Sequence, residues 1–341
     1  MRLSTALAGL AASALSSAAF AAENWSQFRG PNGAGISETG TPPVSFGPDQ
    51  NLHWKSPAPA GVSSPVVWGD RIFLTGVDDK QLLTLAYDAV SGRELWRQDA
   101  AAEKLESTHP FSSPAASTPC TEGRLVFAYF NSFGVLAYDF NGAEVWRRPL
   151  PTLRTQYGSA SSPVIIGGKL IIQRDGGTTD SHLLALDPAT GKTVWDSPRA
   201  LARDGHSTPM LWRHDGKDEL MVQGRGSLMA YDVATGESKW WVQGWGMADG
   251  GRLSVFRPAT GERVLDRQPC GVGGQYVASP IAANGLIYVV NETGTVGVLR
   301  AGDKIDLVAK NALGENVRST PAIAGGTLII RTSGHLWAFG G

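Results

Sequence analysis

Apolar residues in this chain come in short runs of four to six, bounded by Gly or Asn, with no sustained 3.6-residue period. Val66-Val67-Trp68 is followed by the turn pair Gly69-Asp70 and then by Arg71-Ile72-Phe73-Leu74-Thr75, which predicts a tight hairpin. Equivalent turns stand at Glu122-Gly123, Gly167-Gly168, Asn284-Gly285 and Gly325-Gly326. A third run follows, such as Leu83 to Tyr87 or Leu183 to Leu186, and then a fourth that carries a Trp. Each unit thus predicts four β-strands, and a stack of amphipathic helices is excluded. Forty-two glycines point the same way.

The units repeat. Ala86-Tyr87-Asp88 leads through Gly92 to Trp96, Ala137-Tyr138-Asp139 through Gly142 to Trp146, Ala185-Leu186-Asp187 through Gly191 to Trp195, and Ala230-Tyr231-Asp232 through Gly236 to Trp240. In every copy the Trp follows the Gly by four residues, and the Trp-to-Trp steps are 50, 49 and 45. Such a period of strand-turn-strand units predicts an all-β propeller with four-stranded blades. In each turn the Asp accepts hydrogen bonds from nearby backbone N–H groups and the Gly supplies a positive φ. Trp96, Trp146, Trp195 and Trp240 are expected to be docking residues with largely buried rings, wedged between neighbouring sheets.

Each unit opens on Ser/Thr-Pro: Ser64-Pro65, Thr118-Pro119, Ser162-Pro163, Thr208-Pro209, Ser279-Pro280 and Thr320-Pro321. Because this pair recurs with the repeat, its role is read as structural. The prolines are spaced 54, 44, 46, 71 and 41 residues apart. The long step holds only the second half of a unit, at 251–265, with Arg257 at the Asp position and Leu265 at the Trp position. This predicts about seven units, with one truncated near 245–268. The last unit, Thr320 to Phe339, is one strand short. Asn51-Leu52-His53-Trp54-Lys55 imitates the fourth-strand phrase, so the N-terminal strand is expected to close the ring beside Leu336 to Phe339 and leave no open sheet edge.

Met1-Arg2-Leu3 opens an Ala/Leu/Ser-rich stretch ending at Ala19-Phe20-Ala21, the pattern of a secretory signal peptide over 1–21. A leader at 22–50 and a propeller domain at 51–341 would follow. No other stretch approaches about 18 apolar residues, so an exported, soluble chain without a transmembrane segment is expected, periplasmic or extracellular. Net charge is −1 with both signs dispersed, which argues against a nucleic-acid partner. The two cysteines, Cys120 and Cys270, fall well apart around the ring, and both are read as free, mostly buried thiols.

These units resemble the quinoprotein-type, pyrroloquinoline-quinone-like propeller repeat, the family that includes the outer-membrane assembly lipoprotein BamB. The resemblance covers about residues 51 to 341, and Trp25-Ser26-Gln27-Phe28-Arg29-Gly30-Pro31-Asn32-Gly33 resembles the leader of secreted members. It implies one of two functions. Quinoprotein dehydrogenases carry a vicinal Cys pair, a Ca²⁺ held by acidic and amide side chains, and a catalytic Asp. Here the two cysteines lie 150 residues apart, and the placeable aspartates Asp88, Asp139, Asp187 and Asp232 are turn residues. The six histidines show no metal-ligand spacing. The expectation is therefore a non-catalytic scaffold without cofactor or metal, binding an envelope protein or small ligand. The alternative is a pyrroloquinoline-quinone-dependent alcohol or sugar dehydrogenase.

Function on a propeller usually sits in loops mounted on a rigid scaffold. The loops leading into the innermost strands are the varied ones here. His109, Tyr157, His206, Tyr276 and Arg318 precede first strands of different units, and the repeat predicts that they meet at one channel mouth. Arg318 is expected to pair a carboxylate there, and the tyrosines to offer stacking faces with a hydrogen-bonding tip.

Overall fold

The computed structural model describes residues 24–177, 180–199, 205–224, 226–245, 252–256, 260 and 262–340. Residues 1–21, expected from the sequence to be a signal peptide, and Arg257 lie outside the described residues. Among those described there is no α-helix, only a single 3₁₀ turn at Pro31–Gly33 and strands.

Four complete antiparallel blades follow one another. The first is Val66–Trp68, Arg71–Asp78, Gln81–Asp88 and Glu94–Ala101; the second is Cys120–Thr121, Leu125–Phe130, Gly134–Asp139 and Glu144–Pro149. The third is Val164–Ile166, Lys169–Arg174, His182–Leu186 and Thr193–Pro198; the fourth is Met210–His214, Lys217–Gly224, Gly226–Asp232 and Ser238–Trp245. The fifth unit is a half blade of two strands, Arg252–Phe256 and Arg263–Pro269, as the long Pro-to-Pro step predicts. The sixth holds Ile281–Ala283, Leu286–Val290, Thr295–Arg300 and Leu307–Ala312. The last blade has three strands of its own, Ala322–Ala324, Thr327–Arg331 and His335–Gly340. Its outer strand is Leu52–Pro57, with Leu52 opposite Phe339 and Ser56 opposite Leu336. Both cysteines are buried and free.

The recurring residues now have contacts. Each Asp of the turn phrase takes backbone N–H groups on its side-chain oxygen, as Asp139 does from Asn141 and Ala143. The indole N–H of each docking Trp donates to the carbonyl one residue past the Asp of the next blade. Trp54 reaches Ala89, Trp96 reaches Phe140, Trp146 reaches Pro188 and Trp195 reaches Val233, at 2.9 to 3.3 Å. The turn Gly lies under the same indole, and a Cβ on Gly191 would sit 2.7 Å from Trp146 Cε3. Two corrections follow. Only Trp195, at 9% exposure, is buried. Trp96, Trp146 and Trp240 are half-buried, because docking takes place on outer strands where one indole edge meets solvent. Trp240 departs from this pattern: its N–H goes to the Glu219 carboxylate of its own blade.

The Ser/Thr of the opening pairs form a belt around the ring centre. The N–H of Ser64 donates to the Thr118 hydroxyl, Thr118 to Ser162, and Ser162 to Thr208. The belt resumes from Ser279 to Thr320 and from Thr320 back to Ser64, which ties the last blade to the first. The interval between Thr208 and Ser279 falls at the half blade.

The leader is a strap along the inner strands. Trp25, fully buried, bridges to Val67 of the first blade, and the Ser26 carbonyl accepts from Thr121 of the second. Gln27 Oε1 accepts from Ile165 of the third, and Pro31–Gly33 lies against Met210 of the fourth. Ile36–Ser37 then pairs in parallel with Ala282 and Ala283 of the sixth, and Thr41 donates to Gly325 of the last.

Candidate functional site

The loops ahead of the inner strands converge on a cavity of about 420 Å³ at the channel mouth. Its wall includes His109 and Phe111 from the loop before the second blade, Tyr157 before the third, His206 before the fourth and Arg318 before the last. Phe28 of the leader strap also lines it, and so do the belt hydroxyls of Ser64, Thr118, Ser162 and Thr320. Four of the five residues expected at the mouth are therefore together.

They form a connected arc. The Arg318 guanidinium lies 4.9 Å from the Phe111 ring centroid, and Phe111 lies 5.0 Å from the His109 ring. His109 meets Tyr157 edge-on at 5.6 Å, and Tyr157 meets His206 at the same distance. Backbone bonds fix the loop carrying this arc. The His109 N–H donates to the Tyr157 carbonyl, and the Phe111 N–H donates to His109 Nδ1. Phe111 and Tyr157 remain exposed and available for stacking.

Arg318 has a different task from the one expected. Its Nε and Nη2 donate to Glu292 Oε1 at 3.0 and 2.6 Å, and its Nη1 donates to the Pro110 carbonyl at 2.8 Å. Its charge is neutralised within the protein. It tethers the 106–111 loop across the mouth by a carboxylate-backed fork.

Tyr276 is not part of the wall. Its phenol donates to the Val272 carbonyl and lies 2.9 Å from Cys270 Sγ, within the small core beside Leu253 of the half blade. Burial pushes its pKa well up, reinforced by Cys270. A position ahead of an inner strand was not enough, because the neighbouring Val272 carbonyl captures the ring tip. Of the loop before the fourth blade, Arg203 and Asp204 lie outside the described residues.

Sequence reasoning missed Phe28, Phe111 and the four hydroxyls. The hydroxyls were visible as a recurrent Ser/Thr-Pro pair, whose regularity led to a purely structural reading.

Among the described residues, no Asp, Glu, Asn or Gln side chain lines the cavity, and no group of three His, Cys, Asp or Glu is arranged to hold a metal ion. Ca²⁺ takes about six to eight oxygen ligands, mostly carboxylates and carbonyls, so this donor set does not fit a Ca²⁺–quinone pair. No described helix is long and apolar enough to cross a membrane.

Solved structures share this fold. BamB from Moraxella catarrhalis is 16% identical over 86% of this chain and 97% of its own, with a TM-score of 0.51. A europium-containing methanol dehydrogenase is 12% identical over 93% of this chain and 98% of its own, with a TM-score of 0.56. The quinohemoprotein alcohol dehydrogenase from Comamonas testosteroni is 11% identical over 93% of this chain and 80% of its own, at 0.54. At such identities the likeness is one of fold. No curated protein matches the chain in sequence. The family model described as outer membrane protein assembly factor BamB matches residues 47–176, 154–268 and 179–339, and the chain belongs to that family.

Proposed function

We propose that this chain is an exported, non-catalytic propeller that acts as a scaffold in the cell envelope and holds a partner or small ligand at its channel mouth. The observation that carries this reading is the cavity itself. Loops before three blades bring aromatic rings to one opening and a fourth brings Arg318, and the described lining residues include none of the carboxylates or amides that metal-assisted redox chemistry would use. Family membership supports the envelope setting, and the pattern of residues 1–21 supports export. The self-neutralised Arg318 favours apolar and aromatic contacts over capture of a highly charged partner.

The test uses the chain from Ala22 onward as bait in native envelope extract, beside a Phe111→Ala/Tyr157→Ala variant. Retention of a partner or ligand by the native chain and its loss in the variant, at an unchanged unfolding midpoint, is the expected result. Titration with pyrroloquinoline quinone, with and without Ca²⁺, is the second arm. Dye-linked oxidation of an alcohol or sugar above background would overturn the reading.

A further inference from the structure

Arg199 and Arg331 are both buried to 1% exposure, but their charges are met differently. Arg199 Nε donates to Asp175 Oδ1 at 2.9 Å, so its charge is matched inside the protein. Arg331, on the second strand of the last blade, meets no carboxylate among the described residues. Its Nη1 donates to the Ser63 carbonyl and hydroxyl and to the Thr75 carbonyl, and its Nη2 to the Pro59 carbonyl. All of these acceptors are neutral, and its Nε–H has no acceptor among the described residues. Burial pulls the pKa of Arg331 down to about 10, which still leaves it charged at neutral pH. A buried cation without a counter-charge carries a heavy desolvation cost.

Arg331 lines a second cavity, of about 370 Å³, walled by the first and last blades and the loop ahead of the second. This cavity shares Val62, Ser112 and Arg318 with the channel mouth and is otherwise separate from it. No Asp or Glu is among its described lining residues. Gly61 lies against the guanidinium, where a Cβ would come within 2.6 Å of Nη2. Ser112 and Ser333 line the cavity, and their hydroxyls make no hydrogen bond to the described residues. Ser113 Oγ accepts from the Ala115 N–H and keeps its own hydrogen. Asn316 and Ser333 are exposed, so the cavity opens to solvent there.

We propose that this cavity is a site for a small tetrahedral oxyanion of the phosphate or sulfate class, bound by Arg331 and the three serines. Charge decides the class of ligand. The hydroxyls accept as well as donate and so do not choose between ligands, but only an anion offsets the guanidinium. Ser112 and Ser113 stand ahead of the second blade, and Ser333 stands in the last. Donors from separate walls suit an ion with more than two oxygens. The same chemistry comes from two sources, a free ion or a phosphate monoester on a larger molecule.

Calorimetric titration of the chain from Ala22 onward with inorganic phosphate, sulfate, glycerol 3-phosphate and acetate tests the proposal. Phosphate or sulfate is expected to bind about tenfold tighter than acetate and to raise the unfolding midpoint. Tighter binding of glycerol 3-phosphate than of phosphate assigns the ester, and the reverse assigns the free ion. Arg331→Gln is expected to abolish binding. Because that change also removes ties to Pro59, Ser63 and Thr75, Ser112→Ala/Ser333→Ala is measured beside it. The double variant should weaken binding about tenfold while its ligand-free unfolding midpoint stays native. Acetate binding as tight as phosphate, native phosphate affinity in the double variant, or no anion binding would overturn the proposal. Each of these outcomes leaves the channel-mouth reading in place, since that rests on Phe111 and Tyr157, which do not line this cavity.

Discussion

Gly191 gives a direct test of the docking that holds the blades together. Its φ is +67°, and its missing Cβ makes room for Trp146, 2.7 Å from where that atom would sit. Gly216 has nearly the same φ, +71°, but nothing lies within 4 Å of its would-be Cβ. Ala at either position pays the left-handed backbone penalty of about 1–2 kcal/mol. At Gly191 it also lifts the indole away from the third blade. The displaced ring loses its hydrogen bond to Pro188, about 1 kcal/mol, and roughly 2 kcal/mol of burial for a half-covered indole. Gly191→Ala should therefore cost about 4 kcal/mol and Gly216→Ala about 1. In a Trp146→Ala background the clash no longer exists, and Gly191→Ala should fall to about the Gly216 value, a coupling of roughly 2–3 kcal/mol. Urea unfolding followed by far-UV circular dichroism, at unchanged m-value, measures all four variants. Equal costs for the two Gly→Ala changes, or a Gly191 cost that survives removal of Trp146, would refute the docking argument.

Trp240→Ala should cost about 1–2 kcal/mol against about 3 for Trp146→Ala in the same assay, because its hydrogen bond stays inside its own blade. Removing residues 22–60 should lower the melting temperature substantially by calorimetry, since it takes away both the Leu52–Pro57 strand and the leader strap; an unchanged curve would place ring closure elsewhere. Burial alone would raise the Glu315 pKa, but hydrogen bonds from Lys55, Thr332 and His335 outweigh it and bring it from 4.5 to about 2. A depressed folded-state pKa gives stability that is complete above the unfolded value and is lost as pH falls from about 4.5 towards 2, so Glu315→Gln should flatten that part of an acid-stability profile.

The strand order, the half blade and the shared last blade were legible because each leaves a mark at short range. Turn glycines, the Asp-to-Trp phrase and the spacing of Ser/Thr-Pro pairs all lie within one unit. Contacts between units leave no such mark. Nothing near Gly191 in sequence says that Trp146 of the previous blade will rest on it, so its positive φ is only half of its reason. Arg318 and Glu292 meet across 26 residues, from different blades, and the ion pair redirects a side chain that looked free for ligand. Tyr276 failed for a local cause, the Val272 carbonyl within reach of its phenol. The strap was illegible because its only strand, Ile36–Ser37, is two residues long and shows no periodicity.

The missing inner hairpin of the fifth unit would leave the hydroxyl belt and the inner strands interrupted between Thr208 and Ser279. The leader spans that interval, with Pro31–Gly33 against Met210 and Ile36–Ser37 paired to the sixth blade. Strand pairing satisfies backbone groups on the channel side of the sixth blade that would otherwise need water. The same strap brings Phe28 to the wall of the cavity that Phe111 and Tyr157 also line. One segment thus compensates the lost hairpin and builds part of the channel-mouth wall. Ring integrity and the shape of the candidate site are therefore coupled through the leader. A Phe28→Ala change, which leaves the strap's backbone pairing intact, separates the two: it should alter binding at the mouth while leaving the unfolding midpoint close to that of the native chain.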